Sequence, residues 1–232
     1  SLFHAVYIHG GSVKMKILYE DNHLIVVIKP SGILSQGDNT GDKDMLSMIK
    51  NYLKIKFNKP GNVYLGLVHR LDRMVGGIMV FAKTSKGASR LSEQIRNQKL
   101  HKNYLAVVHG KVKEDGILIN YLYKDPSKNI VYVKPESFKD AKKAELSYQV
   151  IQEKNDYSLV DINLISGRPH QIRVQFAHIN HPLLGDKKYG INDNVKEIAL
   201  YAYKLSFYHP TTKELLTFSD KPTKYPFNLF NL

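Results

Sequence analysis

Asp72 lies between two arginines, Arg70 and Arg73, just after the apolar run 63–68. It is the only carboxylate in the interval 45–92. An apolar run followed at once by charge predicts a buried strand whose end opens onto a site. Neighbouring cations keep an aspartate ionised and can orient it, as a carboxylate nucleophile requires. The same pattern fits an acid that pairs with nearby bases only for structure, so both roles stay open at this point.

A second polar cluster surrounds Pro169, which suits the first turn of a helix because proline has no N–H to lose there. Arg173 follows about one turn later and can reach a group beyond the helix start. Arg168, His170 and Gln171 crowd the first turn, where unpaired N–H groups and the helix dipole favour an anion. The cluster indicates either a clamp for a phosphate or carboxylate, or an ordinary polar helix start.

Other classes of site find no support in the sequence. It contains no glycine loop of the form G-x-x-x-x-G-K-[ST] or G-x-G-x-x-G, no H-E-x-x-H and no G-x-S-x-G. No second acid stands out as a glycosidase partner for Asp72. Without cysteine, disulfides, thiolate chemistry and cysteine zinc sites are excluded. The ten histidines have no ligand-like spacing, so no metal site is expected.

The charge of the chain favours a polyanionic partner. Its 34 basic residues exceed its 21 acidic residues by 13, and they are spread along the sequence. Such an excess suits nucleic acid or an anionic membrane surface. No basic amphipathic anchor stands out, and no apolar run approaches the roughly 18 residues that span a bilayer. We therefore expect RNA and no membrane, and the lack of a secretory signal fits a cytoplasmic location.

The elements that must position these residues follow from the apolar pattern. Helices are predicted after Asp44 and after a Thr84 cap. Strands are predicted at 24–28, 77–82, 104–108, 117–123, 130–133, 144–151, 158–165, 199–208 and 215–218. This order predicts one α+β domain over 15–230, with a bent, mainly antiparallel sheet flanked by helices and loops. Residues 1–14 fit the pattern poorly, and we expect them to be upstream or vector-derived sequence.

Five motifs, in this order, resemble those of the RluA-type RNA pseudouridine synthases and together cover roughly residues 17–218. They are Lys29-Pro30-Ser31-Gly32, residues 69–84 around Asp72, Lys102 to Ala106 with Gly110, residues 167–173, and residues 185–190. The family often has Thr-Ser-Gly at 75–77, threonine at Pro169, and histidine where Tyr201 stands. Many members carry an N-terminal S4 domain, and because few residues precede the catalytic body in this sequence, we expect none here.

The resemblance implies an enzyme that isomerises specific uridines in structured ribosomal or transfer RNA to pseudouridine, without cofactor or metal. The uridine would be flipped into the pocket. Asp72 would attack the ribose C1′ or assist loss of a proton from C2′, and both routes stay open. Tyr104 would pack against the base, and Arg173 would pair with Asp72 and keep it ionised. Contacts with RNA or substrate are expected for His69, Arg70, Arg168, His170, Gln171 and Leu200.

Two alternatives remain at this level. A non-catalytic RNA-binding or RNA-chaperone protein could keep the fold, since the basic charge alone explains binding. Such a protein would be expected to have lost at least one of Asp72, Tyr104 and Arg173. An N-glycosidase would use the same nucleophile and let water intercept the sugar, which product analysis distinguishes. We expect a monomer that acts on RNA.

Overall fold

A computed structural model describes residues 4–7 and 14–232 of the chain, with side chains from Met15 onward. The segment 1–14 therefore falls mostly outside the described residues, and its upstream origin stays a prediction. Within it, strand β1 (His4–Tyr7) pairs antiparallel with β2 (Lys14–Glu20). The described chain forms two compact units, Ser1–Leu100 with Lys204–Asp220, and His101–Tyr203 with Lys221–Leu232.

The first unit contains a central strand that is buried along its whole length. This strand, β5 (Gly76–Ala82), pairs antiparallel with β3 (Leu24–Lys29), which in turn pairs with β2. The predicted strand over 63–68 is wrong in extent, since only β4 (Gly66–Leu67) pairs with the last two residues of β5. Strand β11 also neighbours β5.

Both helices predicted for the first unit are confirmed, and so is the cap predicted at Thr84. Helix α1 (Met45–Lys56) is capped by Asp44, whose carboxylate accepts from the Ser47 N–H at 2.9 Å. Helix α2 (Ser85–Arg96) is capped by the Thr84 hydroxyl, which accepts from the Gly87 N–H at 3.0 Å. The apolar faces of the unit close on one core, whose buried members are Leu24, Val26, Ile78, Val80, Ala82, Leu91, Leu100, Leu205 and Phe207.

The second unit is built on five antiparallel strands in the order β6-β10-β9-β7-β8. Their bounds are β6 (His101–His109), β7 (Gly116–Asp125), β8 (Ile130–Lys134), β9 (Lys142–Lys154) and β10 (Tyr157–Leu164). All five were predicted from β-branched and aromatic residues. Strand β11 (Leu200–Tyr208) begins in this unit and ends in the first, where it pairs with β12 (Leu215–Ser219) as expected.

Helix α3 (Gln171–His178) begins two residues later than the sequence predicts. His170 has a left-handed backbone, with φ of 53°, which ends the preceding turn instead of starting a helix. The turn is closed by the Gln171 N–H, which donates to the Arg168 carbonyl at 3.2 Å. Pro169 therefore lies in a turn, and Arg173 is the third residue of the helix.

The α+β class is confirmed, because the described residues form three α-helices together with strands that pair antiparallel. A short 3₁₀ turn, Phe227–Leu229, lies near the end of the chain and belongs to the second unit. Its Phe227 is part of a core with Leu105, Val107 and Leu159. Within the described residues, no helix is long and apolar enough to cross a membrane.

Candidate active site

The loop that carries Asp72 connects β4 to β5 and is anchored through its main chain. The Val75 N–H donates to the Asp72 carbonyl at 2.9 Å and closes a tight turn. Just before the aspartate, the Ser35 hydroxyl accepts from the Leu71 N–H at 3.1 Å and donates to the Leu71 carbonyl at 2.9 Å. Ser35 is only 5% exposed, so both bonds form away from water. One buried serine thus fixes the peptide groups that lead into Asp72.

A buried lysine fixes the chain on the other side of Asp72. Lys29 has no exposed surface, and its ammonium donates to the carbonyls of Arg73 at 2.9 Å, Ile33 at 2.5 Å and Pro30 at 3.1 Å. Burial lowers the pKa of Lys29 to about 7, while the negative charge of Asp72 acts in the opposite direction. Lys29 therefore ties the loop that follows β3 to the loop that carries Asp72.

Further bonds connect the same two loops near the surface. The Gly32 N–H donates to the Arg73 carbonyl at 2.8 Å, and Arg73 Nε donates to the Gly32 carbonyl at 3.0 Å. The Ser31 hydroxyl donates to the Met74 carbonyl at 2.7 Å. Arg73 Nη2 pairs with Asp42 at 2.8 Å, with side chains 40% and 48% exposed. The arginine after Asp72 therefore has a structural partner of its own.

His69 and Arg70, both predicted to contact RNA, lie in different environments. His69 is buried, and its Nε2 accepts from the Val80 N–H of β5 at 3.0 Å. This contact secures the start of the loop to the sheet. Arg70 is exposed, and its two terminal nitrogens donate to the Gln36 amide oxygen at 2.9 and 3.0 Å when that amide is oriented toward them. Arg70 is thus the one of the two that presents charge to solvent.

Tyr104 and Leu200 are buried residues of the second unit. Tyr104 lies on β6, opposite Ile162 of β10, and is almost fully enclosed. Leu200 is the first residue of β11 and is also buried. Both side chains can therefore form walls, as the roles predicted for them require.

Arg173 forms a two-pronged ion pair with a residue that sequence reasoning did not single out. Its Nε and Nη2 each donate to a carboxylate oxygen of Asp186 at 2.9 Å, with side chains only 8% and 1% exposed. Asp186 also accepts from the N–H groups of Lys188 and Tyr189, both at 3.1 Å. The guanidinium carbon lies 5.1 Å from the centre of the Tyr189 ring. Such parallel bonds fix the plane of the arginine as well as its position.

Tyr189 links this pair to the start of α3. Its hydroxyl accepts from the Val131 N–H at 3.0 Å and forms a hydrogen bond with His170 Nδ1 at 2.6 Å. The His170 and Tyr189 rings also meet edge to face. His170 therefore contributes to a network of protein groups around Arg173.

Arg168 and Gln171 are the remaining residues of the polar cluster around Pro169. They differ in exposure as Arg70 and His69 do, since the arginine is exposed and the other residue is buried. The Gln171 side chain is buried, where it accepts from the Ser166 hydroxyl and the Arg168 N–H and donates to the Glu145 carbonyl. Arg168 is exposed and is held by one bond from its Nε to the Lys143 carbonyl at 2.8 Å. The buried amide shapes the loop, and the exposed guanidinium points charge outward.

The structure thus assembles two sets of the predicted residues, one in each unit. Asp72, His69 and Arg70 share the first, and the other predicted residues lie in the second. The pairing of Arg173 with Asp72 would join the two units and stays a prediction. Within the described residues, no group of three or more acidic or histidine side chains is placed to hold a metal.

Three functional candidates were missed by sequence reasoning, namely Lys29, Ser35 and Asp186. Lys29 and Asp186 fall inside the motifs that carried the resemblance, so a signal was present although no role followed from it. Ser35 gave no signal, because its role depends on a contact with Leu71, 36 residues away.

Comparisons with known proteins match this chain to RNA pseudouridine synthases. The family model described as RNA pseudouridylate synthase matches residues 23–178. An uncharacterized RNA pseudouridine synthase of Mycoplasma genitalium is 38% identical over 207 residues, which cover 84% of this chain and 64% of that protein. The ribosomal large subunit pseudouridine synthase C of Buchnera aphidicola subsp. Baizongia pistaciae is 35% identical over 212 residues, covering 85% and 64%. The chain thus spans just under two thirds of the length of these relatives.

A solved structure of human RNA pseudouridylate synthase domain containing 4 shares the fold. The TM-score is 0.72 at 23% identity, over 88% of this chain and 87% of that chain. The resemblance to RluA-type synthases drawn from five sequence motifs is confirmed by the family match and the curated relatives. The chain belongs to the RNA pseudouridylate synthase family.

Proposed function

We propose that this chain isomerises uridine to pseudouridine within RNA and that Asp72 is the residue that acts on the ribose. The observation that carries the proposal is the anchoring of Asp72 by Ser35 and Lys29. These buried side chains hold the backbone immediately before and after the aspartate. A carboxylate whose flanking backbone is held in place can be aimed at a reacting atom. Membership of the family supports the reaction class.

The reaction exchanges one bond to the ribose for another. The bond between N1 of uracil and C1′ breaks, the detached base turns, and C5 forms a new bond to C1′. C5 then loses its proton and N1 gains one, so the product is an isomer and no cofactor is needed for balance. Asp72 takes part in one of two ways. Either it attacks C1′ and forms a covalent bond that breaks again when C5 bonds to C1′, or it accepts a proton from C2′ and returns that proton to C2′ as C5 bonds to C1′. Both routes need an ionised carboxylate held close to the sugar.

Tyr104 and Arg173 complete the proposed catalytic set. Tyr104 is a buried aromatic residue, which suits a base that must be held during its rotation. Arg173 is the cation that we assign to Asp72, to keep it ionised and oriented.

The other predicted residues divide into two groups in this proposal. Arg70 and Arg168 present exposed guanidinium groups and are assigned to RNA, with Arg70 helping to fill the space that the flipped uridine leaves. The described partners of His69, His170 and Gln171 are protein groups, so we assign them to holding the site in shape. Leu200 is assigned to the pocket wall.

The RNA that we propose as substrate is ribosomal RNA of the large subunit. The support is the similarity to the Buchnera protein, which is named as a ribosomal large subunit pseudouridine synthase. Transfer RNA is the other substrate class that the sequence left open. A monomeric state and a cytoplasmic location stay predictions.

Product analysis tests the proposal directly. The chain is incubated with RNA that carries tritium at C5 of uridine, and tritium release is followed together with the nucleosides of the digested RNA. We expect tritium release with an equal amount of pseudouridine. Free uracil without pseudouridine would favour the N-glycosidase alternative, and RNA binding with neither product would favour a non-catalytic RNA-binding protein.

A further inference from the structure

A cluster of cations surrounds one exposed aromatic residue at the end of α1. Phe57 caps the carboxyl end of the helix and is 46% exposed. The ammonium groups of Lys83, Lys56 and Lys59 lie 4.8, 5.4 and 5.9 Å from the centre of its ring. The negative face of an aromatic ring attracts ammonium groups at this range. We call these four residues the Phe57 cluster.

Among the described contacts, a single carboxylate, that of Glu20, pairs with the lysines of this cluster. Glu20 accepts from Lys56 at 3.0 and 3.1 Å and pairs with Lys83 at 3.3 Å. Burial alone would raise the pKa of Glu20, but hydrogen bonds from Tyr52 and Lys56 and the charge of Lys83 lower it, so this acid is ionised. Three ammonium groups and one carboxylate leave a surplus of two positive charges.

The surplus charge is accessible and already positioned. The Lys56 side chain is 45% exposed, and Lys59 lies on the exposed turn that follows α1. The Lys83 side chain is 11% exposed, and its ammonium also donates to the Asp21 carbonyl at 2.7 Å. Like charges gathered around one ring repel one another, and an added anion would relieve that repulsion. The cluster therefore has the composition of an anion-binding surface.

We propose that the Phe57 cluster binds the phosphate backbone of RNA outside the catalytic site. The proposal rests on the proposed function for the identity of the polyanion. Within the first unit, Lys83 follows the end of β5, whereas Asp72 precedes its start. The strand rises by about 3.3 Å per residue, so the six steps between its first and seventh residues put about 20 Å between these ends. The cluster therefore contacts RNA that flanks the target uridine, and it contributes to binding and not to chemistry.

The test is the salt dependence of RNA binding. The probe is a fluorescein-labelled oligouridylate of about 30 nucleotides, longer than the roughly 4–16 nucleotides that one compact fold covers. Each lost phosphate contact makes the slope of log affinity against log salt shallower by about 0.7 for single strands. We expect Lys56→Gln with Lys59→Gln to reduce the slope by about 1.4.

The matched control removes the same charge elsewhere. Lys111 and Lys224 are exposed lysines, each paired with one glutamate, Glu153 and Glu197. We expect Lys111→Gln with Lys224→Gln to change the slope by much less. Lys59→Gln alone removes no ion pair to Glu20 and should still reduce the slope by about 0.7. Circular dichroism shows whether each variant is folded.

An equal change of slope in both double variants would overturn the proposal, and so would no change in either. Binding of anionic lipid vesicles that depends on Lys59, with unchanged RNA binding, would also overturn it in favour of a membrane surface. These results are independent of catalysis. A chain that binds RNA through the cluster and forms no pseudouridine would refute the proposed function alone.

Discussion

Asp72 and Arg173, the two charged residues at the centre of the proposed mechanism, are held in different ways. The described anchors of Asp72 act on the backbone around it, through Ser35 before it and Lys29 after it. The described anchor of Arg173 acts on its own charged group, through both oxygens of Asp186. The aspartate is positioned by its loop, and the arginine by a partner of opposite charge.

This difference has a physical consequence for each residue. An anchor on the backbone fixes the position of the loop and does not act directly on the carboxylate of Asp72. The ion pair of Arg173 with Asp186 is bidentate and almost fully buried. Each of its charges stabilises the other, because either charge alone would face a large desolvation penalty. We therefore expect changes around Arg173 to affect folding and catalysis together, and changes around Asp72 to affect mainly the alignment of the loop.

Arg173→Ala should have the largest effect on stability, because it leaves the buried Asp186 without its cation. The free energy of unfolding should fall by about 3–5 kcal/mol, measured by urea denaturation. In the folded fraction, single-turnover rates at saturating RNA should fall by orders of magnitude with little change in affinity. Arg173→Lys should restore the rate only in part, because an ammonium lacks the guanidinium's two parallel donors.

The double variant Arg173→Ala with Asp186→Ala provides the control for that prediction. It removes both buried charges, so it should be less unstable than the sum of the two single changes. Additive losses would show that the two residues do not depend on each other. A near-normal rate for Arg173→Ala at saturating RNA would refute its assignment to Asp72.

Asp186→Asn tests whether the partner of Arg173 matters beyond stability. Asparagine keeps the shape and one acceptor oxygen but no longer fixes both prongs of the guanidinium. We expect the single-turnover rate to fall about tenfold, equivalent to about 1.4 kcal/mol in the barrier, with unchanged RNA affinity. A variant that is destabilised but turns over normally would limit Asp186 to a structural role.

Ser35→Ala tests the backbone anchor of Asp72. The substitution leaves the buried Leu71 N–H without its acceptor, at a cost of about 1–3 kcal/mol in the free energy of unfolding. Turnover should fall several-fold because the loop is less well aligned. The matched control is Ser31→Ala, which removes one exposed bond to Met74. Equal losses from both serines would argue against a special role for the buried one.

Asp42→Asn should have the smallest effect, because it breaks only the exposed pair with Arg73. Surface ion pairs of this kind contribute about 0–1 kcal/mol. We expect urea denaturation and tritium release to be close to those of the unchanged chain. A large loss of turnover would mean that this surface pair, and not the buried anchors, positions the loop.

The sequence was informative about the elements of the fold and about which residues carry charge at the site. Alternating and β-branched residues predicted the strands of the second unit, and Asp44 and Thr84 marked helix starts, because these are local patterns. The predicted extent of β4 was wrong, because the length of a strand depends on pairing with a distant partner, which a local apolar run does not reveal. The predicted start of α3 was wrong, because His170 adopts a left-handed backbone conformation that its residue type does not dictate.

The positioning residues were harder to foresee for a different reason. Ser35 and Leu71 are 36 residues apart, and Lys29 and Arg73 are 44 apart. Contacts of this kind arise only once the loops fold against each other, and a serine or lysine in a turn looks ordinary in sequence. The Asp186 partner of Arg173 is only 13 residues away, yet nothing in its spacing selects it from other acids.

The central claim is that Asp72 performs the chemistry, and Asp72→Asn tests it most directly. The change removes the negative charge and keeps the shape, so folding and RNA affinity should be retained. Tritium release from RNA labelled at C5 of uridine should fall by more than about a thousandfold, equivalent to about 4 kcal/mol in the barrier. Activity within about tenfold of the unchanged chain, or about 1.4 kcal/mol, would contradict the assignment.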